Sequence, residues 1–233
     1  MGLFQATTEL DYPESDGRPM GETDLHRKWM IRVTELLEQR YRDQRVYVTS
    51  DLLLYYVDGL PMMYVVPDVF VVKDTSTDNR RTYKVWEEGQ PPHVVFEVTS
   101  RATRRQDEVE KPGIYSKIGV RELFLYDPTA DYLRPPLQGF NLQATGEPVR
   151  IEPDSAGRIT SAELGIDLRL DGYNLVMSDV DTGDVLLTEA EAAHAANEAA
   201  QAAREAAQQE NEKLRQEIEQ LLEQLRQHKP NGD

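Results

Sequence analysis

Apolar residues change their spacing several times along the chain, and each change marks an element. Leu25, Trp29, Val33, Leu36 and Leu37 recur at three- and four-residue intervals, the stripe of an amphipathic helix. Thr23 or Asp24 is placed to cap this helix, which runs to about Tyr41. From Val46 the period shortens. The stretch 46–57 is rich in β-branched and aromatic residues, as a strand is, and ends at the tight-turn pair Asp58-Gly59. The pattern resumes from Met62 to Val66, breaks at Pro67 and returns from Val69 to Val72. A polar loop is predicted over 73–92, holding Tyr83 and Trp86. His93 to Thr99 is a nearly continuous apolar strand interrupted by Glu97. A basic loop then leads to a short helix that ends by Gly119, and Glu122 to Tyr126 is a further strand closed by Asp127-Pro128. The stretch 131–187 reads as β-hairpins turning at Gly146, Gly157, Asp171-Gly172 and Thr182-Gly183. From Thr188 the chain is Ala- and Glu-rich helix with no breaker before Pro230.

This order predicts an α+β fold, a mixed sheet flanked by helices with a β-hairpin extension. Residues 1–21, rich in Pro, Gly and acids, read as an extended arm. The folded domain then spans 22–187, a long helix 188–229, and a disordered tail 230–233. With no cysteine, disulfides, thiolate metal sites and Cys nucleophiles are excluded. No apolar run approaches the length of a bilayer, and the first residues lack a secretion pattern, so a soluble cytoplasmic protein is expected. Charge complicates any contact with nucleic acid. The formal net charge is −16; the segment from Asp184 carries 11 acids and 5 bases, leaving 31 and 21 for the body. Phosphate binding therefore needs a local basic patch or metal ions that offset the carboxylates.

Two carboxylates stand out. Asp68 and Glu97 each lie in or beside an apolar strand, where an unpaired charge is costly. Alternation sends Val94, Phe96 and Val98 to one face and Glu97 and Thr99 to the other. If the two strands are neighbours, both carboxylates converge on one hard cation such as Mg²⁺, which activates water against a phosphodiester. Taken singly, each is as well explained as a surface carboxylate at a strand end.

Pro67-Asp68-Val69, Phe96-Glu97-Val98-Thr99-Ser100, Asp107, Lys111, Tyr115, Gly119-Val120 and Tyr126-Asp127-Pro128 occur in an order that resembles the Uma2 (Uma-two) family of restriction-endonuclease-like proteins. That family belongs to the PD-(D/E)XK nuclease superfamily. The likeness runs from about Val46 to Pro128 and loosely on to the helical tail. It implies a restriction-endonuclease-like fold, DNA as substrate, and Asp68 and Glu97 as metal ligands. The lysine of the motif, two positions after the glutamate, falls on Thr99, a departure. Lys111 on the following helix matches a lysine that takes its place near the attacking water or the charged transition state.

Pro112-Gly113 directly after Lys111 leaves two openings for the helix: it starts near Lys111, or Asp107 caps it with Glu110 in a capping box and Pro112 bends it. Both place Lys111 near the N-terminal end, and Asp107 is read as a cap before a ligand. Tyr115 reads as a core-edge aromatic, and Trp29 and Trp86 as packing residues. Arg101, Arg104 and Arg105 are candidates for phosphate contact, with Arg80, Arg81 and Lys84 as a second patch. The four histidines lack zinc-site spacing. Two functions follow: a Mg²⁺-dependent endonuclease, or a non-catalytic binding and assembly module on the same scaffold.

In the C-terminal helix Leu214, Ile218, Leu221 and Leu225 alternate four and three residues apart, the a/d rhythm of a coiled coil. Asn211 then falls at a, a position where Asn pairs best with its twin in parallel dimers. A parallel homodimer is expected. Sedimentation at micromolar concentration should give a dimer that becomes a monomer when 188–233 is deleted; a full-length monomer, or a dimer indifferent to the deletion, contradicts it.

Overall fold

The computed structural model describes residues 10–15, 23–144 and 147–227. The expected arm over 1–21 and tail over 230–233 therefore lie largely outside the described residues, as does the turn at Gly146. Two compact units divide the chain, Met1–Leu186 and Leu187–Asp233.

The first unit contains α1 (Asp24–Arg40), β1 (Val46–Ser50), β2 (Leu54–Tyr55), β3 (Tyr64–Val65), β4 (Val69–Lys73), β5 (Tyr83–Lys84), α2 (Val85–Glu88), β6 (Val94–Val98), α3 (Lys111–Ile118) and β7 (Glu122–Tyr126). It continues with β8 (Leu137–Asn141), β9 (Val149–Ile151), β10 (Ile159–Ser161), β11 (Ile166–Asp171) and β12 (Asn174–Asp179). The main sheet is mixed, in the order β1-β4-β6-β7-β8-β9, and the fold is the α+β arrangement expected. Within the main sheet β6 and β7 are the parallel pair, and such a pair needs a crossover, which carries α3. A meander of β10, β11 and β12 and a small sheet of β3, β2 and β5 complete the unit.

Each face of the main sheet has its own core. On one, Trp29, Val33 and Leu37 of α1 pack with Val69, Val71, Phe96 and Val98, and the meander adds Ile166, Leu168 and Met177. On the other, Phe70, Val72, Val95, Leu123 and Leu125 pack with Tyr83 and with Tyr115 of α3. The alternation read from 94–98 thus holds, and both faces of β6 are buried.

Thr23 is the cap of α1, its hydroxyl accepting from the His26 N–H at 3.2 Å. Four expectations are corrected. Leu25 does not face the core: it is exposed, and His26 takes the buried stripe with Trp29 and Met30. The strand expected over 46–57 is two strands, because Asp51 adopts φ 50° and sends β2 into the small sheet. The polar loop over 73–92 contains β5 and α2.

Asp107, finally, caps nothing. Ser100 and Thr103 make the entry reciprocally, each main-chain N–H bonding the other's hydroxyl at 3.1 and 3.3 Å. The chain is helical from Arg104 and widens into one π-turn over Gln106–Glu110, where the Lys111 N–H reaches the Gln106 carbonyl, before continuing as α3. Pro112, which has no N–H to give, is accommodated directly after this wide turn. Gly119 ends α3 at φ 101°, as expected of a left-handed terminus.

The loop after β7 is built on buried Asp127. Its carboxylate accepts from the N–H groups of Thr129, Tyr132 and Leu133 at 3.0, 2.6 and 3.0 Å, and from the Thr129 hydroxyl. Burial alone would raise this carboxyl, but the donors of Leu133, Tyr132 and Thr129 outweigh it and hold it below its ordinary pKa. A depressed carboxyl stabilises the fold above its unfolded pKa, and that contribution is lost as the pH falls through the folded value. Asp127→Asn, which turns an N–H₂ toward those N–H groups, should cost about 1–3 kcal/mol at pH 7. In urea unfolding, the gap to wild type should narrow below about pH 4; a gap independent of pH contradicts the assignment.

Candidate metal centre

The register of β4 against β6 pairs Val69 with Phe96. Continued by one residue, it sets Asp68 opposite Glu97, whose side chain reaches Lys111 and Tyr115 of α3. The Val98 N–H donates to Asp68 Oδ2 at 2.6 Å, tying the aspartate to the neighbouring strand. His26 Nε2 lies 2.9 Å from the same oxygen.

Glu97 is fully buried and doubly bonded. Lys111 Nζ donates to Oε2 at 2.7 Å, and the Tyr115 hydroxyl donates to Oε1. Lys111 also pairs with Asp107 Oδ1 at 3.1 Å. One ammonium therefore sits between two buried carboxylates, with a third near enough to act on it. Burial alone would depress the Lys111 pKa, but Glu97, Asp107 and Asp68 outweigh it and raise it above its ordinary value. Burial pushes the Glu97 carboxyl well up; Lys111 pulls it down, and Asp68 and Asp107 push it further up. Asp107 is likewise raised by burial against the pull of Lys111. Burial, then Glu97, raises Tyr115, so its hydroxyl stays protonated and able to donate.

The arrangement borders a cleft of about 1050 Å³ whose walls include His26, Asp68, Thr99, Arg101, Lys111 and Tyr132. Asp68, Glu97 and Lys111, predicted from sequence as one site, are thus brought together. Arg101 stands at the cleft wall, whereas Arg104 and Arg105 are exposed and paired with Glu108 and Glu110 at 2.8 and 3.5 Å. Arg80 of the second patch is structural. It grips Glu88 at 2.6 and 2.9 Å, donates to the Ser76 and Asp78 carbonyls, and stacks on Tyr47. Arg81 and Lys84 pair with Glu14 and Glu87.

Residues 5–171 match the model of the Uma2 family, described as "Putative restriction endonuclease". The chain belongs to this family. A crystal structure of a "putative nuclease belonging to DUF820" from Anabaena variabilis ATCC 29413 is similar at 14% identity, covering 63% of this chain and 76% of that one with a TM-score of 0.44. That likeness is too distant to carry residue roles across. No curated protein compared with the chain matches it. No helix among the described residues is long and apolar enough to cross a membrane.

In this Uma2 protein the donor set suits a hard divalent cation. Asp68 lines the cleft, and its Oδ1 makes no hydrogen bond among the described residues; the buried hydroxyl of Thr99, which lines the same cleft, also has no partner among them. Mg²⁺ is commonly held by one or two carboxylates and its own waters. Among the described residues no three His, Cys, Asp or Glu side chains are grouped to hold a metal, so a closed structural zinc site is not present among them.

Sequence reasoning missed His26 and the hydroxyl of Tyr115. His26 carried a signal: it precedes Trp29 and Met30 by three and four residues, a polar ring on the apolar stripe. Tyr115 follows Lys111 by one turn and therefore shares its face. Buried acids by themselves are not diagnostic. Glu122 is equally buried, yet it is satisfied by Ser161 and the N–H groups of Ala162 and Glu163.

Removing the central ammonium leaves Glu97 and Asp107 buried without a nearby cation. Lys111→Met should destabilise the fold by about 3–5 kcal/mol in urea unfolding. Adding Glu97→Gln should recover part of that loss, because one of the stranded charges is gone; a double variant no more stable than the single contradicts this pairing.

Proposed function

We propose that the protein is a Mg²⁺-dependent endonuclease hydrolysing DNA phosphodiester bonds in the cleft beside Asp68 and Glu97. The observation that carries this reading is the meeting of two carboxylates from adjacent strands with a charged lysine at the wall of one cleft. Membership of a family described as restriction endonucleases supports it. Asp68 and Glu97 would hold the cation, with water completing its shell. Bound there, Mg²⁺ supplies Lewis acidity toward a phosphoryl oxygen and a more acidic water.

The chain's own groups do the rest. Lys111, kept protonated by its carboxylates, places positive charge where the pentavalent phosphoryl group accumulates negative charge. The Tyr115 hydroxyl fixes the orientation of Glu97. Arg101, exposed at the cleft wall, contacts a backbone phosphate without reading sequence. Arg104 and Arg105 are held only by exposed pairs, which are weak and exchangeable for phosphate.

One observation favours a second reading, a non-catalytic module on this fold. Both oxygens of Glu97 are already taken, and Thr99 stands where a motif lysine would. In that case the long helix α4 (Glu189–Gln227) is the working part. Leu214, Ile218 and Leu221 are exposed along it beside Leu222, with Asn211 one turn earlier, a surface on which a second copy would pair.

Plasmid nicking and oligonucleotide cleavage should be measured for wild type, Asp68→Ala and Glu97→Ala, with Mg²⁺ and with EDTA. The endonuclease reading expects each substitution, and chelation, to reduce cleavage at least about 100-fold, a transition-state loss of about 2.7 kcal/mol. Equal activity in all three proteins defeats it, and an inert wild type leaves the assembly module.

A further inference from the structure

Asp68 is held by a residue to which neither the family description nor the reading above gives a task. We propose that His26 is a positioning residue for the cation site, orienting Asp68 so that its free oxygen faces the cleft. The inference rests on the Mg²⁺ reading above.

The geometry is specific. His26 Nε2 and the Val98 N–H both reach Asp68 Oδ2, at 2.9 and 2.6 Å. An ionised carboxylate only accepts, so Nε2 carries the proton. Two donors converging from different elements on one oxygen fix the carboxylate plane. The last torsion of an aspartate is otherwise broad, and without them the group would sample orientations that turn neither oxygen to the cleft. Asp68 Oδ1 is left with no hydrogen bond among the described residues, and the 11% exposure of the side chain is toward the cleft that Asp68 lines.

His26 is itself held. Its ring is 1% exposed, its N–H is bonded by the Thr23 cap, and Trp29, Met30 and Val33 anchor α1 in the core below it. The first turn of α1 therefore cannot slide without unpacking the helix. Placing a ring nitrogen here costs a buried polar group on an apolar stripe. That cost is explained if the ring fixes a carboxylate whose orientation matters. Partners of this kind, one bond behind a metal ligand, typically change metal affinity 10- to 100-fold when removed.

The test is Mg²⁺ binding by the full chain, measured by calorimetry without substrate and checked by Mn²⁺ paramagnetic resonance. His26→Ala and His26→Leu should weaken binding about 10- to 100-fold. His26→Gln, whose amide nitrogen has about the reach of Nε2, should recover most of it, and His26→Asn, too short to touch Asp68, should not. If His26 served stability alone, thermal unfolding would shift while every folded variant bound Mg²⁺ like wild type, and the proposal is overturned. Should Ala and Leu fail to fold, the Gln and Asn pair decides: equal affinities in those two overturn it. A wild type that binds neither ion removes the metal reading and this inference together, whereas normal binding in His26→Ala removes this inference alone.

Discussion

Two carboxylates buried side by side on neighbouring strands repel each other, and neither can be charged in a protein interior without a partner. The charges at Asp68 and Glu97 are therefore the constraint around which the cleft is organised. Glu97 is compensated by Lys111 from the crossover between the parallel strands, and Asp68 by His26 from the first helix and by a main-chain N–H. Each carboxylate has a dedicated helix. The ammonium of Lys111 is shared with Asp107, so a single side chain serves two buried acids.

The sheet makes this possible by dividing labour between its faces. The face packed by α1 and the meander is apolar across β4 and β6. The opposite face begins with the same kind of packing, Phe70 and Val95 against Tyr115, and becomes polar at the strand ends. Tyr115 belongs to both regimes, its ring in the core and its hydroxyl on Glu97. The loop organised by Asp127 contributes Pro128, Thr129 and Tyr132 to the rim, so a purely structural carboxylate shapes the cleft of the candidate centre.

The charge of the molecule bears on how such a cleft meets its substrate. A chain of net charge −16 gains little from long-range attraction to a polyanion, and Arg80, Arg81 and Lys84 of the second basic patch are each paired with a glutamate. Arg101 is the exposed cation at the cleft wall. Electrostatics of this kind favour contact at a few points close to the site over an extended basic track.

Local sequence was sufficient for the elements whose cause is local. Thr23 caps α1 because its hydroxyl meets the N–H of His26 within one turn, Gly119 ends α3 because it tolerates a positive φ, and the alternation of 94–98 sorts Glu97 from the apolar residues. The pairing of Asp68 with Glu97 followed once the strands were taken as neighbours. The remainder depended on contacts distant along the chain. Asp51 breaks a strand because the chain changes sheets there, and a β-branched run does not record that. Asp107 looked like a cap, but the π-turn buries it against Lys111, and Ser100 and Thr103 make the helix entry instead. His26 meets Asp68 across 42 residues, a contact set by the docking of α1 against the sheet. Spacing along a chain specifies the faces of helices and strands; which faces meet is decided when the cores close.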